Sequence, residues 1–254
     1  MTAALRVPGL LCAAAALFLT ASLAGCSSDG GEDGKGDGGG GVSAGKPDDF
    51  GCLTPEEAKR ASITFPSEDG SETGAYAPRG GSGAGIVLAH QSDGTACQWK
   101  DKADELSRAG YRVLAVNSTG PEVAEIIGAA GYLRDEGAKK LLLMGASKGG
   151  TAVLAAAPRL NPQPDAVVAL SAPEQYSNMN AVGAVPKLTS PVLYMVGELD
   201  GDFGAGVKEM NRKSVRSPEH KLVYVRDESA HGVALLYDDT RWATVRDFLA
   251  KYGS

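Results

Sequence analysis

The chain has 254 residues, of which 43% are hydrophobic and 22% are charged, and its formal net charge is −6. This length suffices for one well-buried α/β domain together with a leader and a linker. An acidic chain without a basic run lacks the positive surface that nucleic-acid binding requires, so we expect no nucleic-acid partner.

The first 25 residues have the pattern of an export signal. Arg6 supplies a positive start, an apolar stretch covers residues 7–23, and Ala-Gly precedes Cys26. Signal peptidases require such small residues before the cleavage point. A transmembrane helix is the alternative, but the apolar run is short and lacks a charged flank. We predict a signal peptide over residues 1–25.

The residues around Cys26, Leu-Ala-Gly-Cys, resemble the bacterial lipobox. The resemblance implies that Cys26 becomes the new N-terminus and carries fatty acyl groups such as palmitate. Lipid chains of this kind bind a protein to a bilayer. We therefore expect a lipoprotein held on the extracytoplasmic face of the cell membrane.

Residues 26–50 are rich in Gly, Ser, Asp, Glu and Lys and contain few apolar side chains. Such a segment cannot bury enough surface to fold. We expect a flexible tether here and a single folded domain over residues 51–254.

Two cysteines, Cys52 and Cys97, belong to the predicted domain, since Cys12 leaves with the leader and Cys26 carries lipid. An even pair in an oxidising compartment predicts a disulfide. Closing this loop would restrict the unfolded chain by about 4 kcal/mol. Two separate thiols are the alternative, because spacing alone does not fix connectivity.

From Thr54 onward the pattern is that of an α/β domain. Thr54 before Pro55 predicts the start of a helix, and two segments around residues 68–70 predict an antiparallel hairpin. Apolar strands then alternate with amphipathic helices. The predicted strands are 63–66, 71–77, 86–89, 111–116, 140–144, 166–170, 192–196 and 222–225, and the later helices are 98–109, 122–134, 148–157, 205–213 and 240–252. This alternation indicates a mostly parallel sheet of about eight strands with helices on both faces.

The segment between Leu170 and Val192 is too short for a cap domain, so we expect an open active site. We predict that residues 171–190 line the substrate pocket, with Tyr176 and Met179 as its walls.

One predicted strand runs directly into residues 145–149, Gly-Ala-Ser-Lys-Gly, and then into a helix. This is G-x-S-x-G in a strand–turn–helix context, which places the serine hydroxyl on a sharp turn above the sheet. A second match at residues 41–45 lies in the tether with no strand before it. We therefore choose Ser147 as the nucleophile.

In this context the domain resembles the α/β-hydrolase family, in small lidless forms similar to dienelactone hydrolases and simple esterases, from about residue 63 to the end. The resemblance implies an acid after the strand 192–196 and a histidine after the last strand. Asp200, in a G-x-x-D match, and His231 occupy these positions, in the order that this fold uses. Glu198 and Asp202 are the alternatives for the acid.

These residues predict a serine hydrolase that cleaves a carboxylic ester or related acyl bond through an acyl-enzyme. His231 would accept the proton of Ser147, and Asp200 would orient the imidazole. A peptidase or acyltransferase with the same triad is one alternative, and a lipid-anchored binding protein without turnover is another. We expect a monomer that acts on a small-molecule substrate.

The resemblance also implies two backbone donors for the oxyanion. Lys148 supplies one and Ser92 the other, with Gln91 as the fallback, because Gln91 replaces the family's glycine after His90. We interpret His90 as a structural histidine. We interpret the Lys148 side chain as solvated, with attraction of an anionic substrate as the alternative.

The sequence offers no pattern for a metal or cofactor. Its three histidines are far apart and its cysteines are too few for a zinc site. It also lacks a phosphate-binding loop and a dinucleotide fingerprint. We therefore expect neither a metal nor a cofactor.

Overall fold

Ten strands and seven α-helices make up residues 47–254, the part of the chain that the computed structural model describes. The strands are β1 (Ser62–Pro66), β2 (Glu72–Tyr76), β3 (Gly85–Ala89), β4 (Arg112–Asn117), β5 (Leu141–Ala146), β6 (Ala166–Leu170), β7 (Gln175–Tyr176), β8 (Met179–Asn180), β9 (Val192–Gly197) and β10 (His220–Val225). The helices are α1 (Pro55–Ala61), α2 (Lys100–Arg108), α3 (Glu122–Asp135), α4 (Lys148–Ala156), α5 (Ala181–Ala184), α6 (Phe203–Lys213) and α7 (Asp239–Gly253).

Eight of the strands form one sheet in the order β1-β2-β4-β3-β5-β6-β9-β10. β2 pairs antiparallel with β1 and β4, and the other pairs in this sheet are parallel. β3, β5, β6 and β9 are buried along their whole length, which explains their nearly continuous apolar sequences. The predicted mostly parallel sheet is confirmed.

Helices cover both faces of this sheet. α3, α4 and α6 contribute Ile126, Val153 and Val207 to the core on one face. α2 and α7 contribute Leu106 and Phe248 to the core on the other. The two layers of helices bury the apolar strands and leave one edge, at the carboxyl ends of the parallel strands, for functional side chains.

A 3₁₀ turn at Ala96–Trp99 precedes α2, so the α-helix begins later than predicted. The Thr95 side chain accepts the N–H of Cys97 at 3.2 Å and thereby starts this turn. The disulfide predicted between Cys97 and Cys52 is present. It ties the turn to the chain that precedes α1.

The segment between β6 and β9 contains a small hairpin, β7 and β8, followed by α5, none of which was predicted. Strands of two residues are too short to show a periodic pattern. Within residues 47–254, no inserted cap domain covers the end of the sheet.

The predicted signal peptide, Cys26 and most of the tether lie outside the described residues. Phe50, which the predicted boundary assigns to the tether, is buried in the core, and its carbonyl accepts the Thr95 hydroxyl at 3.1 Å. The folded part therefore begins before residue 51. From residue 47 onward, no helix is both long and apolar enough to cross a bilayer.

Candidate active site

Ser147 lies on a strained turn between β5 and α4. Its backbone has φ 50° and ψ −119°, a left-handed φ that side-chain-bearing residues rarely adopt. The backbone N–H donates to the Leu170 carbonyl at 2.8 Å, which fixes the turn against β6. The side chain is mostly buried, with the residue 6% exposed. This is the geometry expected of a serine nucleophile at the edge of a parallel sheet.

Two glycines make this turn possible. A Cβ on Gly145 would lie 2.2 Å from the carbonyl oxygen of Gly149. A Cβ on Gly149 would lie 2.3 Å from the carbonyl oxygen of Ala89, at the end of β3. Because both obstacles are backbone atoms, neither position tolerates a side chain without a shift of the strand or the turn.

Asp200 and His231 form a hydrogen-bonded pair beside this turn. The imidazole Nδ1 lies 2.8 and 3.1 Å from the two Asp200 carboxylate oxygens, which is the geometry for a proton on Nδ1. Asp200 is 6% exposed, whereas the His231 side chain is 31% exposed. Of the three carboxylates proposed for the acid, the structure brings Asp200 to the imidazole. Glu198 instead accepts the Asp227 N–H at 3.1 Å.

The loop that carries His231 is attached on both sides of the serine turn. The Gly232 N–H donates to the Ser171 hydroxyl at 2.9 Å, and the Val233 N–H donates to Oε1 of Gln91 at 2.9 Å. Ser171 follows β6 and Gln91 follows the β3 edge, and these two strands flank β5 in the sheet. The histidine loop is therefore held across the end of the strand that leads to Ser147.

The Ser147 hydroxyl and Nε2 of His231 are not joined by a hydrogen bond within residues 47–254. The structure thus establishes the Asp200–His231 pair and the attachment of its loop around Ser147.

Glu228 holds the histidine loop in a way that the sequence did not reveal. Its carboxylate accepts the Ala230 N–H at 2.7 Å and pairs with Arg241 at the start of α7. These partners hold the pKa of Glu228 below its usual value. Its carbonyl accepts the Leu199 N–H at 2.8 Å, which joins the histidine loop to the turn that carries Asp200.

Comparisons with known proteins identify structural relatives only. No protein-family model matches the chain, and no curated protein matches it. An esterase from Pyrococcus furiosus superposes with a TM-score of 0.66 at 15% identity, covering 76% of this chain and 92% of that one. An esterase domain from a Rhodothermus marinus protein gives 0.61 at 18% identity (76% and 98% covered). A dienelactone hydrolase from Anabaena variabilis gives 0.57 at 19% identity (76% and 97% covered).

The chain has the α/β-hydrolase fold. At such low sequence identity, structural similarity shows the fold alone, because one fold can carry many different functions.

In this α/β-hydrolase fold, the three residues predicted to supply oxyanion donors differ in whether their backbone N–H groups are free to bind an oxyanion. Lys148 is the first residue of α4, where a backbone N–H has no partner within its own helix. Ser92 is exposed in the loop after β3. The Gln91 N–H donates to Oε1 of Gln98 at 3.0 Å, so the structure argues against Gln91 as a donor.

The Lys148 side chain is buried, which contradicts the prediction that it is solvated. The residue is 8% exposed, and its ammonium lies 3.1 Å from a Glu122 carboxylate oxygen. A buried lysine requires such a partner, because an unpaired charge away from water is costly. Its charge is therefore compensated by α3 and is not free to attract an anionic substrate.

His90 has the structural role that the sequence suggested. Its Nδ1–H donates to the Gln91 carbonyl at 2.6 Å, and Nε2 accepts the Ser118 N–H at 3.0 Å. Burial lowers the pKa of the imidazole, which favours the neutral form that these two bonds require. His90 thus links the loop after β3 to the loop after β4.

A cavity of about 500 Å³ is lined by residues 173–175, Val182, Asp202, Phe203 and Gly206. Its Phe203 ring packs against the His231 ring, which places the cavity next to the histidine. The segment 171–190 contributes one wall of this cavity. Neither of the two side chains predicted as walls lines this cavity: Tyr176 is exposed, and Met179 is buried in the core and borders a different cavity. Within residues 47–254, no group of three or more His, Cys, Asp or Glu side chains could hold a metal ion.

Proposed function

We propose that this protein is a serine hydrolase that cleaves a carboxylic ester of a small molecule through an acyl-enzyme. The observation that carries the proposal is the hydrogen bond between the buried Asp200 and His231, whose loop is attached on both sides of the Ser147 turn. Such an arrangement supplies a nucleophile, a base and a group that orients the base. The esterases and the dienelactone hydrolase with the same fold support a hydrolase.

In the proposed reaction, Nε2 of His231 takes the proton of Ser147 while the hydroxyl oxygen attacks the ester carbonyl. The Lys148 N–H, with Ser92 as the second donor, would stabilise the negative charge on the carbonyl oxygen. His231 then gives the proton to the departing alcohol. Water then enters and loses a proton to His231 as its oxygen attacks the acyl carbonyl. The bond between the acyl carbon and the Ser147 oxygen breaks, the acid leaves, and His231 returns the proton to the Ser147 oxygen. Asp200 stabilises the imidazolium in both halves of the reaction.

The test uses the purified full chain in detergent, p-nitrophenyl acetate and butyrate, and a fluorophosphonate probe. We expect turnover of both esters and a single covalent adduct that peptide mass spectrometry locates on Ser147. Ser147→Ala is expected to lose both the adduct and the turnover while keeping its far-UV circular dichroism. A folded wild-type protein inert to the esters and the probe would instead favour a lipid-anchored binding protein.

We also propose that the protein is exported and anchored to the membrane through a lipid on Cys26. The disulfide between Cys52 and Cys97 supports export, because disulfides persist in oxidising compartments. Expressed in a bacterium that processes lipoproteins, the wild type should enter the detergent phase of a Triton X-114 separation, and Cys26→Ser should stay in the aqueous phase. Wild-type protein found in the aqueous phase would contradict the anchor.

A further inference from the structure

The cavity beside His231 has the size of a ligand subsite. Its volume of about 500 Å³ lies within the usual range for small-molecule sites. Gly206 of α6 allows the Glu174 side chain to pack close to this helix, since a Cβ on Gly206 would lie 2.8 Å from Cγ of Glu174. The space accommodates a group of several heavy atoms next to the proposed catalytic residues.

The position of the cavity relates it to one part of an ester. The Phe203 ring, which forms part of its wall, lies with its centroid 4.6 Å from that of the His231 ring. In the proposed reaction His231 protonates the departing alcohol, so the alcohol part of the substrate lies nearest to the imidazole. The cavity is therefore placed to receive the alcohol part.

The chemistry of the lining favours a positive charge. Glu174 and Asp202 are its only charged residues, and neither forms a salt bridge with another described residue. Phe203 adds an aromatic ring, and Pro173 and Val182 add apolar surface. An aromatic ring combined with carboxylates attracts an ammonium group that carries carbon substituents. The negative charge of the whole chain, −6, adds to this attraction.

We infer that the natural substrate is an ester of an alcohol that carries an ammonium group, and that this group occupies the cavity between Glu174, Asp202 and Phe203. The inference rests on the proposed function, because it assigns the substrate of that same site. The inference describes the alcohol part of the ester, which leaves in the first step, and does not specify the acyl part.

Two esters of the same shape test the inference. Butyrylcholine and 3,3-dimethylbutyl butyrate differ only in a positively charged nitrogen in place of a carbon, and acid release measures the turnover of both. With the full chain, we expect kcat/KM for butyrylcholine to exceed that for the neutral ester by at least about tenfold, which corresponds to 1.4 kcal/mol. About 1 M salt should reduce this ratio, because it screens the carboxylates.

Variants of the two carboxylates test whether these residues cause the higher kcat/KM for the charged ester. In the double variant Glu174→Gln/Asp202→Asn, the ratio is expected to fall toward one. Glu209→Gln is the matched control, because Glu209 lies on α6 but pairs with Arg212 and Lys213 instead of lining the cavity. This control should keep the wild-type ratio.

Equal kcat/KM for the two esters, with turnover that depends on Ser147, would overturn the inference and leave the proposed function intact. A preference for butyrylcholine that survives in the double variant would also overturn it, because the charge would then be recognised elsewhere. If neither ester reacts and the fluorophosphonate probe labels nothing, the proposed function fails first.

Discussion

Asp200→Asn is expected to lower kcat for p-nitrophenyl butyrate by about 10⁴-fold with little change in KM. The asparagine side chain has the same shape, so the pocket and the loop should persist. Its amide can present N–H groups to Nδ1 of His231, where the wild-type carboxylate presents only acceptors. The imidazole would then carry its proton on Nε2 and could not accept the proton of Ser147. Steady-state kinetics, with circular dichroism as the check on folding, measures this effect.

The two rejected acids provide the controls for this substitution. Glu198→Gln and Asp202→Asn should each lower kcat by less than about tenfold, since neither carboxylate contacts His231. A loss in either control as large as that in Asp200→Asn would move the role of the acid away from Asp200. Near-normal kcat in Asp200→Asn would contradict the proposed mechanism.

The sequence predicted most of the sheet and the candidate residues of the site. Continuous apolar strands such as β5 and β6 can be recognised because burial on both faces leaves no room for polar side chains. The serine turn can be recognised because its strained backbone requires glycines at fixed positions. Asp200 and His231 could be chosen because the resemblance to the α/β-hydrolase family implies an acid after β9 and a histidine after the last strand.

The remaining features depend on contacts between residues far apart in the chain, which no local pattern records. Lys148 looked solvated because its burial depends on Glu122 from a different helix. Gln91 looked like a possible oxyanion donor, yet its N–H is occupied by Gln98 and its side chain holds the histidine loop. Nothing in the local sequence distinguishes Glu228 from the many carboxylates of an acidic chain.

Gly149→Ala is expected to reduce the free energy of unfolding by about 3 kcal/mol, at the upper end of the range for overpacked cores. The added methyl group would lie 2.3 Å from the Ala89 carbonyl oxygen and 2.7 Å from that of His90. Both atoms belong to the backbone at the end of β3, a central strand paired on each side, so rotation of a side chain cannot relieve the overlap. Urea unfolding followed by circular dichroism measures the loss.

Gly131→Ala adds the same methyl group where nothing lies within 4 Å of it, inside α3. This control should raise the free energy of unfolding by up to about 1 kcal/mol, because alanine favours a helix over glycine. Equal stability of the two variants would show that the serine turn has room to move. Any residual Gly149→Ala activity should be low even when the protein is folded, since relief of the overlap displaces β3 and, with it, the loop that carries Ser92. The stability of the turn and the placement of the oxyanion donor thus depend on the same backbone contact.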